Sequence, residues 1–145
     1  MLCGMAILLL ACNNDYFYFG MDEQESAQWH MEEPSIFSFD TQDTSSYLDF
    51  YLDLRNNESY PYRNIYSFVE MKFPNGKSLN DTIHYSHLAS PEGKWLGKGT
   101  GSSYDNSILY KRRRKLPLPG AYQIKVTHAM RDTFLQGIER VGVHI

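Results

Sequence analysis

Among the side chains able to do covalent chemistry, Cys12 has the most telling surroundings. It closes the stretch Leu9-Leu10-Ala11-Cys12, follows an apolar run from Leu2 to Leu10, and precedes the polar pair Asn13-Asn14. That order is the end of a bacterial lipoprotein signal: a short hydrophobic segment, a small residue, then cysteine. Each residue type has a chemical reason. The thiol takes up a diacylglyceryl group as a thioether, the small Ala11 lets a membrane peptidase reach the Ala11–Cys12 bond, and the apolar run holds that bond at the membrane surface. The run is far shorter than the ~20 residues that span a bilayer and fits the ~7–15-residue hydrophobic core of a signal. The expectation is a signal peptide over residues 1–11, cleavage between Ala11 and Cys12, and lipid on Cys12. A single acyl chain binds only marginally, whereas two anchor stably, so the mature chain is expected to stay on its membrane. The amino terminus of Met1 is the only positive charge before Cys12, where signals usually open with Lys or Arg. The competing reading is a buried strand from Met5 to Ala11, with Cys12 as an ordinary apolar thiol.

No other constellation announces chemistry. The chain has no Gly-x-Ser-x-Gly elbow, no His-Glu-x-x-His and no glycine-rich phosphate loop. Lys98-Gly99-Thr100-Gly101-Ser102-Ser103 shares only the composition of a phosphate loop, and a hairpin turn accounts for it. His84 and His87 lie near Asp81, but their spacing puts them on opposite sides of a strand, so joint metal ligation would need a turn between them. His30, His128 and His144 carry no spacing signal. Cys3 falls in the signal and Cys12 at the lipid site, which leaves the mature domain without a disulfide or a thiolate metal site. No catalytic residue, cofactor or metal is expected.

The sharpest charge feature is Lys111-Arg112-Arg113-Arg114-Lys115, ahead of Leu116-Pro117-Leu118-Pro119-Gly120. It reads as a solvated loop, with contact to anionic lipid headgroups or an acidic partner as the functional alternative. An exported protein has little occasion to meet nucleic acid, so none is expected as a partner. The pentad belongs to a wider asymmetry. Residues 12–59 hold 11 Asp/Glu and one Arg, while residues 60–145 hold 13 Lys/Arg and 6 Asp/Glu. Cross-strand charge pairing on solvent faces is the plain explanation, and two differently charged faces are the alternative.

The elements that must carry these features are strands. With 145 residues, 11 Tyr and 8 Phe, the chain has the length of one domain and an aromatic content that favours β-structure. Leu48, Phe50, Leu52 and Leu54 alternate with polar residues from Tyr47 to Arg55 and so fall on one face of a strand. Ile65, Ser67, Val69, Met71 and Phe73 repeat the pattern ahead of Pro74-Asn75-Gly76-Lys77, a hairpin-type turn leading back into Leu79–Tyr85. Tyr122, Ile124, Val126 and His128 mark a further strand, and Val141, Val143 and Ile145 a last one. Strand signals begin near Trp29 and are interrupted at Pro34. Glu92–Gly101, around Trp95, reads as a tight turn or a bulged strand, and Met130–Leu135 as a helical turn. Seven or so short strands joined by turns predict a single-domain antiparallel β-sandwich over residues 29–145, preceded by a lipid-anchored tether over residues 12–28. The expected core contains Leu48, Phe50, Leu52, Leu54, Val69, Tyr122, Ile124 and Val126. Tyr16-Phe17-Tyr18-Phe19, inside the tether, suits either the membrane interface or packing on the domain.

Several motifs in order resemble one family. They are Leu52-Asp53-Leu54-Arg55-Asn56, Tyr60-Pro61-Tyr62-Arg63-Asn64-Ile65-Tyr66, Asp81-Thr82-Ile83, Gly93-Lys94-Trp95-Leu96-Gly97-Lys98-Gly99, Pro119-Gly120-Ala121-Tyr122, His128-Ala129-Met130-Arg131 and Leu135-Gln136-Gly137-Ile138-Glu139-Arg140-Val141-Gly142-Val143. With the Leu-Ala-Cys signal they resemble the gliding-motility lipoproteins of the GldH family of the Bacteroidetes. The resemblance implies a lipid-anchored envelope protein that supports surface gliding through contacts with envelope or motility proteins, with no enzymatic activity and no cofactor. Asn13-Asn14-Asp15 lacks the dense acidic run that in these bacteria follows the cysteine of surface-exported lipoproteins. The expected place is therefore the outer membrane, facing the periplasm. A carbohydrate-binding sandwich is the main rival; it calls for Trp29, Trp95 and tyrosines in an exposed row. An envelope hydrolase would need a cleft of clustered acids and bases. Mass spectrometry of the membrane-extracted protein should find an acylated Cys12 at the amino terminus and no Met1–Ala11; an intact Met1 with a free Cys12 thiol would overturn the lipid reading.

Overall fold

Alternation of apolar and polar side chains decides the architecture, because each period-two strand has one face that must leave water. The computed structural model describes residues 15–145, so Cys12, Ala11 and the rest of the expected signal lie outside the described residues. The strands are β1 (Phe19–Glu23), β2 (Gln28–His30), β3 (Ser35–Thr41), β4 (Leu48–Asn57), β5 (Ile65–Lys72), β6 (Ser78–Tyr85), β7 (Lys98–Thr100), β8 (Ser103–Arg114), β9 (Gly120–His128), β10 (Phe134–Gln136) and β11 (Ile138–His144). A five-stranded sheet runs β1-β11-β4-β8-β7, a four-stranded sheet runs β3-β9-β5-β6, and β2 pairs with β10 in a two-stranded ribbon. Every pairing is antiparallel.

The inner faces of the two larger sheets form one core. The five-stranded sheet supplies Phe50, Leu52, Leu54, Ile108, Val141 and Val143; the four-stranded sheet supplies Phe37, Val69, Met71, Tyr122, Ile124 and Val126. The expected inward faces of β4, β5 and β9 are the observed ones. Leu48 alone of the expected core is only partly buried, because the β4–β8 register shifts beside it and the strand leaves the packed layer there. The ribbon closes one end of the sandwich with Trp29 and Leu135, neither of which reaches solvent. Along one side, the Ser35 hydroxyl of β3 donates to Asp22 of β1 at 2.6 Å and ties the two sheets together.

Three expectations are corrected. Residues 19–28, assigned above to the tether, carry β1 and most of a sheet-to-ribbon connection, and β1 pairs along its whole length with β11. Its signal was hidden because its outward residues, Phe19 and Met21, are themselves apolar and exposed. Met130–Leu135 contains no helical turn: Phe134–Gln136 is β10, and Leu135 is drawn inside opposite Trp29. Third, the pentad's first four residues, Lys111–Arg114, are the end of β8, the longest strand, and not a loop.

Two glycines are demanded by geometry. Gly76 sits at φ +83° in the β5–β6 hairpin. Gly137, also at φ +83°, joins β10 to β11, and a Cβ there would lie 2.3 Å from the Tyr60 nitrogen. Leu52 lies at the middle of β4, 5% exposed, between Ile108 and Val143. Leu52→Ala should therefore lower unfolding free energy by about 2–5 kcal/mol in chemical denaturation. A loss below about 0.5 kcal/mol, the usual surface value, would mean that the wrong face has been assigned to the core.

Candidate functional site

Strand polarity decides which features meet. Phe19 opens β1 and pairs with His144 at the end of β11; His144 pairs with Tyr51 near the start of β4, and Leu48, which opens β4, pairs with Arg114 at the end of β8. One end of the five-stranded sheet thus gathers the exit of the N-terminal chain, the approach to β4 and the basic end of β8. The chain before β1 is fastened there: the Phe17 amide donates to the Ile145 carbonyl at 2.7 Å.

An aromatic shelf covers the outer face at this end. Tyr51 stacks on His144 with ring centroids 4.6 Å apart. Tyr16 leans on His144 at 4.9 Å and stacks on Phe19 at 5.6 Å. His144 Nδ1 and an Asp53 carboxylate oxygen are 2.6 Å apart, which holds the imidazole in place. Tyr18 and Phe17 both turn towards Phe39 of the other sheet. Tyr16-Phe17-Tyr18-Phe19 therefore packs on the domain, with Tyr16, Phe17 and Phe19 still substantially exposed. Farther along the same face runs a charged row. Arg55 grips Asp105 with two hydrogen bonds of 2.7 Å, and Arg140 pairs with Glu23. The Arg55 guanidinium holds the Asp105 carboxyl below the usual carboxylate range.

The pentad is shaped by two register shifts. Phe50 faces Lys111 while the next residue, Tyr51, faces Leu109; Leu48 faces Arg114. The extra residues on β8 bend and twist it, as bulges do. Arg113 adopts φ +49°, and its amide donates to Asp49 at 2.7 Å. Lys111 is drawn back to the four-stranded sheet, where it pairs with Asp81 at 2.9 Å. The Tyr110 hydroxyl donates to the same carboxylate. That hydroxyl, and then Lys111, keep the Asp81 carboxyl below its ordinary range, while burial and the adjacent carboxylate push the Tyr110 hydroxyl up. Arg112, Arg113, Arg114 and Lys115 are exposed and form no ion pair among the described residues. Only one of the observed Lys/Arg ion pairs, Arg140–Glu23, joins a base of residues 60–145 to an acid of residues 12–59, so cross-strand pairing leaves the charge asymmetry largely standing.

Most of the motifs that carried the resemblance lie at the opposite end, although Pro119-Gly120-Ala121-Tyr122 opens β9 just after the basic end of β8 and Asp81-Thr82-Ile83 lies in the middle of β6. The Tyr60 hydroxyl donates to the Asn64 carbonyl at 2.7 Å and the Tyr62 hydroxyl to Asp132 at 2.7 Å. Trp95 is half-buried between Tyr60 and Tyr104, and Gly137 lies against the backbone of Tyr60. A family model described as GldH lipoprotein matches residues 16–145. The chain belongs to the GldH lipoprotein family. It is 34% identical to the gliding motility lipoprotein GldH homolog of Christiangramia forsetii, over 96% of this chain and 88% of that one. It is 28% identical to the gliding motility lipoprotein GldH of Flavobacterium johnsoniae, over 97% of this chain and 90% of that one. The family, the all-β fold and the lipoprotein class expected from the sequence are thus shown.

The remaining candidates are scattered. His84 stacks on Tyr66, and His87 meets Ser86 and Tyr85, so the two do not converge. No group of three or more His, Cys, Asp or Glu able to hold a metal occurs among the described residues. His128 is buried against Trp29, and that burial lowers its pKa. Burial of Trp29 and half-burial of Trp95 remove both tryptophans from the exposed row that a carbohydrate-binding sandwich would present. Sequence reasoning missed the Tyr110–Asp81–Lys111 cluster, since nothing local links residues that far apart; alternation of Asn106 and Ile108 with exposed Ser107 and Leu109 was the available trace of β8. Asp81→Asn should cost about 1 kcal/mol at pH 7 in denaturant unfolding, a charge-assisted contact discounted for partial exposure. Because the folded Asp81 pKa is lowered, that stabilisation is complete above the ordinary carboxylate value of about 3.9 and fades as pH falls through the folded value. A wild-type-minus-variant difference that did not shrink in acid would rule out the carboxylate as its source.

Proposed function

We propose that the protein is held by acylated Cys12 on the periplasmic face of the outer membrane and serves there as a non-enzymatic adaptor that stabilises a gliding-motility machine through protein contacts. The observation that carries the reading is the division of the sandwich into two unlike ends. The chain leading to Cys12 leaves from one end, and the Tyr60–Tyr66, Gly93–Gly99 and His128–Arg131 motifs and several exposed apolar side chains occupy the other. Phe134, 57% exposed and edge-on to His30, lies there with Met31 and Leu96. A lipid-anchored domain presents its far end to other envelope proteins, and scattered apolar groups within a polar surround suit protein contact. The gliding motility lipoproteins of the two named relatives support the cellular role, and the single acid in Asn13-Asn14-Asp15 supports retention inside the outer membrane.

Deleting the gene in a gliding host should abolish spreading on agar, and a chain carrying Phe134→Ser with Leu96→Ser should restore protein level but not full spreading. Protease added to intact cells should spare the protein until the outer membrane is permeabilised. Normal spreading of the deletion strain would remove the motility role, and rapid loss from intact cells would place the protein on the surface.

A further inference from the structure

The basic end of β8 is a charged surface that the adaptor reading leaves unused. We propose that the end of the sandwich from which the N-terminal chain emerges docks on anionic lipid headgroups, so that the domain lies against its own bilayer on a defined face instead of swinging on a tether. The inference rests on the Cys12 reading above and adds to it a second, electrostatic contact.

Four observations converge on this end. First, Cys12 lies three residues before Asp15, the first described residue. At ~3.3–3.6 Å per extended residue, that length holds the domain within about 10 Å of the acylated position, close to the Debye length of about 8 Å at physiological ionic strength. Second, Arg112, Arg113, Arg114 and Lys115 are exposed here with no ion pair among the described residues, and juxtamembrane clusters of this kind are attracted to anionic headgroups. Third, two of these cations flank an aromatic ring. The Arg113 guanidinium lies 5.3 Å and the Lys115 ammonium 4.6 Å from the centroid of Tyr47, which is 63% exposed. Tyrosine beside cations suits the headgroup layer, where one part of the ring is apolar and the hydroxyl is wet. Exposed Tyr16 and Phe17 extend the aromatic surface towards the chain exit. Fourth, the Asp49 carboxylate accepts the Arg113 amide and fixes the bulged end of β8 with its bases outward.

An acidic protein could meet the same charges, but the anchor places a bilayer within reach of them at all times. The Arg113 backbone supports a binding role in another way. A non-glycine residue at φ +49° is held there only by its surroundings, and here the Asp49 bond and the bulged pairing to β4 present successive guanidinium groups at the sheet end.

The test uses the mature full chain in vesicles. With Cys12 acylated, an introduced cysteine is the only free thiol in residues 12–145. Thr44→Cys places a fluorophore near Tyr47, and Glu92→Cys places one at the opposite end. In vesicles of phosphatidylcholine with phosphatidylglycerol, a headgroup-linked quencher should quench the label at 44 several-fold more than the label at 92. The contrast should collapse in pure phosphatidylcholine and in the Arg112→Ser, Arg113→Ser, Arg114→Ser chain, and persist when the same three residues become Lys. Equal quenching at both positions, or a contrast indifferent to lipid charge and to the triple Ser change, overturns the docking. The chain without an introduced cysteine separates the two readings: its maleimide uptake at Cys12 overturns the anchor, whereas a chain that takes up no maleimide and binds vesicles, together with an unquenched label at 44 in the Thr44→Cys chain, overturns the docking alone.

Discussion

The packing of β4 against β9 and β5 is the interaction on which everything else rests. β4 is the middle strand of its sheet and sends Phe50, Leu52 and Leu54 inward; β9 and β5 are the inner pair of theirs and answer with Tyr122, Ile124, Val126, Val69 and Met71. Each of these side chains contributes about 1.5–3 kcal/mol when taken from water, and none can do so until both sheets are in place. The burial is therefore collective. β11 and β8 gain their positions as neighbours of β4, β1 as a neighbour of β11, and β3 and β6 as the outer strands of the second sheet.

That constraint also explains how the domain manages its polar interior. Asn56, in register with the inward face of β4, is wholly buried, and its side-chain oxygen accepts a 2.9 Å hydrogen bond from Asn106 of β8. The pair sits towards the end of the sheet away from the chain exit, where the core gives way to turns, and each amide satisfies what the other would leave bare. His128 closes β9 at that same end in an edge contact with Trp29; both of its ring nitrogens are buried without a hydrogen-bond partner among the described residues, and burial favours its neutral form. The end near the chain exit is organised differently. Its polar groups are charged and outside, its aromatics form a shelf around His144, and its strands are bulged. One end buries its polar groups among turns, and the other is a surface with bases unpaired among the described residues.

The sandwich therefore has a direction, and direction is what a tethered protein needs. The names of the matched proteins place the family among gliding motility lipoproteins, and a domain whose exposed basic cluster lies at one end only offers two unlike surfaces without moving parts. Rigidity follows from antiparallel pairing along nearly every strand and from the ties between the sheets at both flanks, Ser35 to Asp22 on one side and Tyr110 and Lys111 to Asp81 on the other.

Much of the class was legible in the residues themselves. Leu-Ala-Cys after an apolar run states the lipoprotein class by peptidase chemistry alone, and alternation at Leu48–Leu54, Ile65–Met71 and Tyr122–Val126 states strand type and inward face, because a period of two is a local property of the chain. β1 and β8 escaped because their alternation is broken, in β1 by exposed Phe19 and Met21 and in β8 by bulges and a basic tail. Residue pattern also has no means of naming a strand's neighbour. That Arg113 stands at the same end of the sheet as the exit of a chain nearly a hundred residues earlier follows from the order β1-β11-β4-β8, in which antiparallel pairing brings the ends of β8 and β11 level with the starts of β1 and β4. Pairing order is chosen by which arrangement buries all the inward faces together, a property of the whole core, and so the two-ended character of the domain was decided by tertiary structure alone.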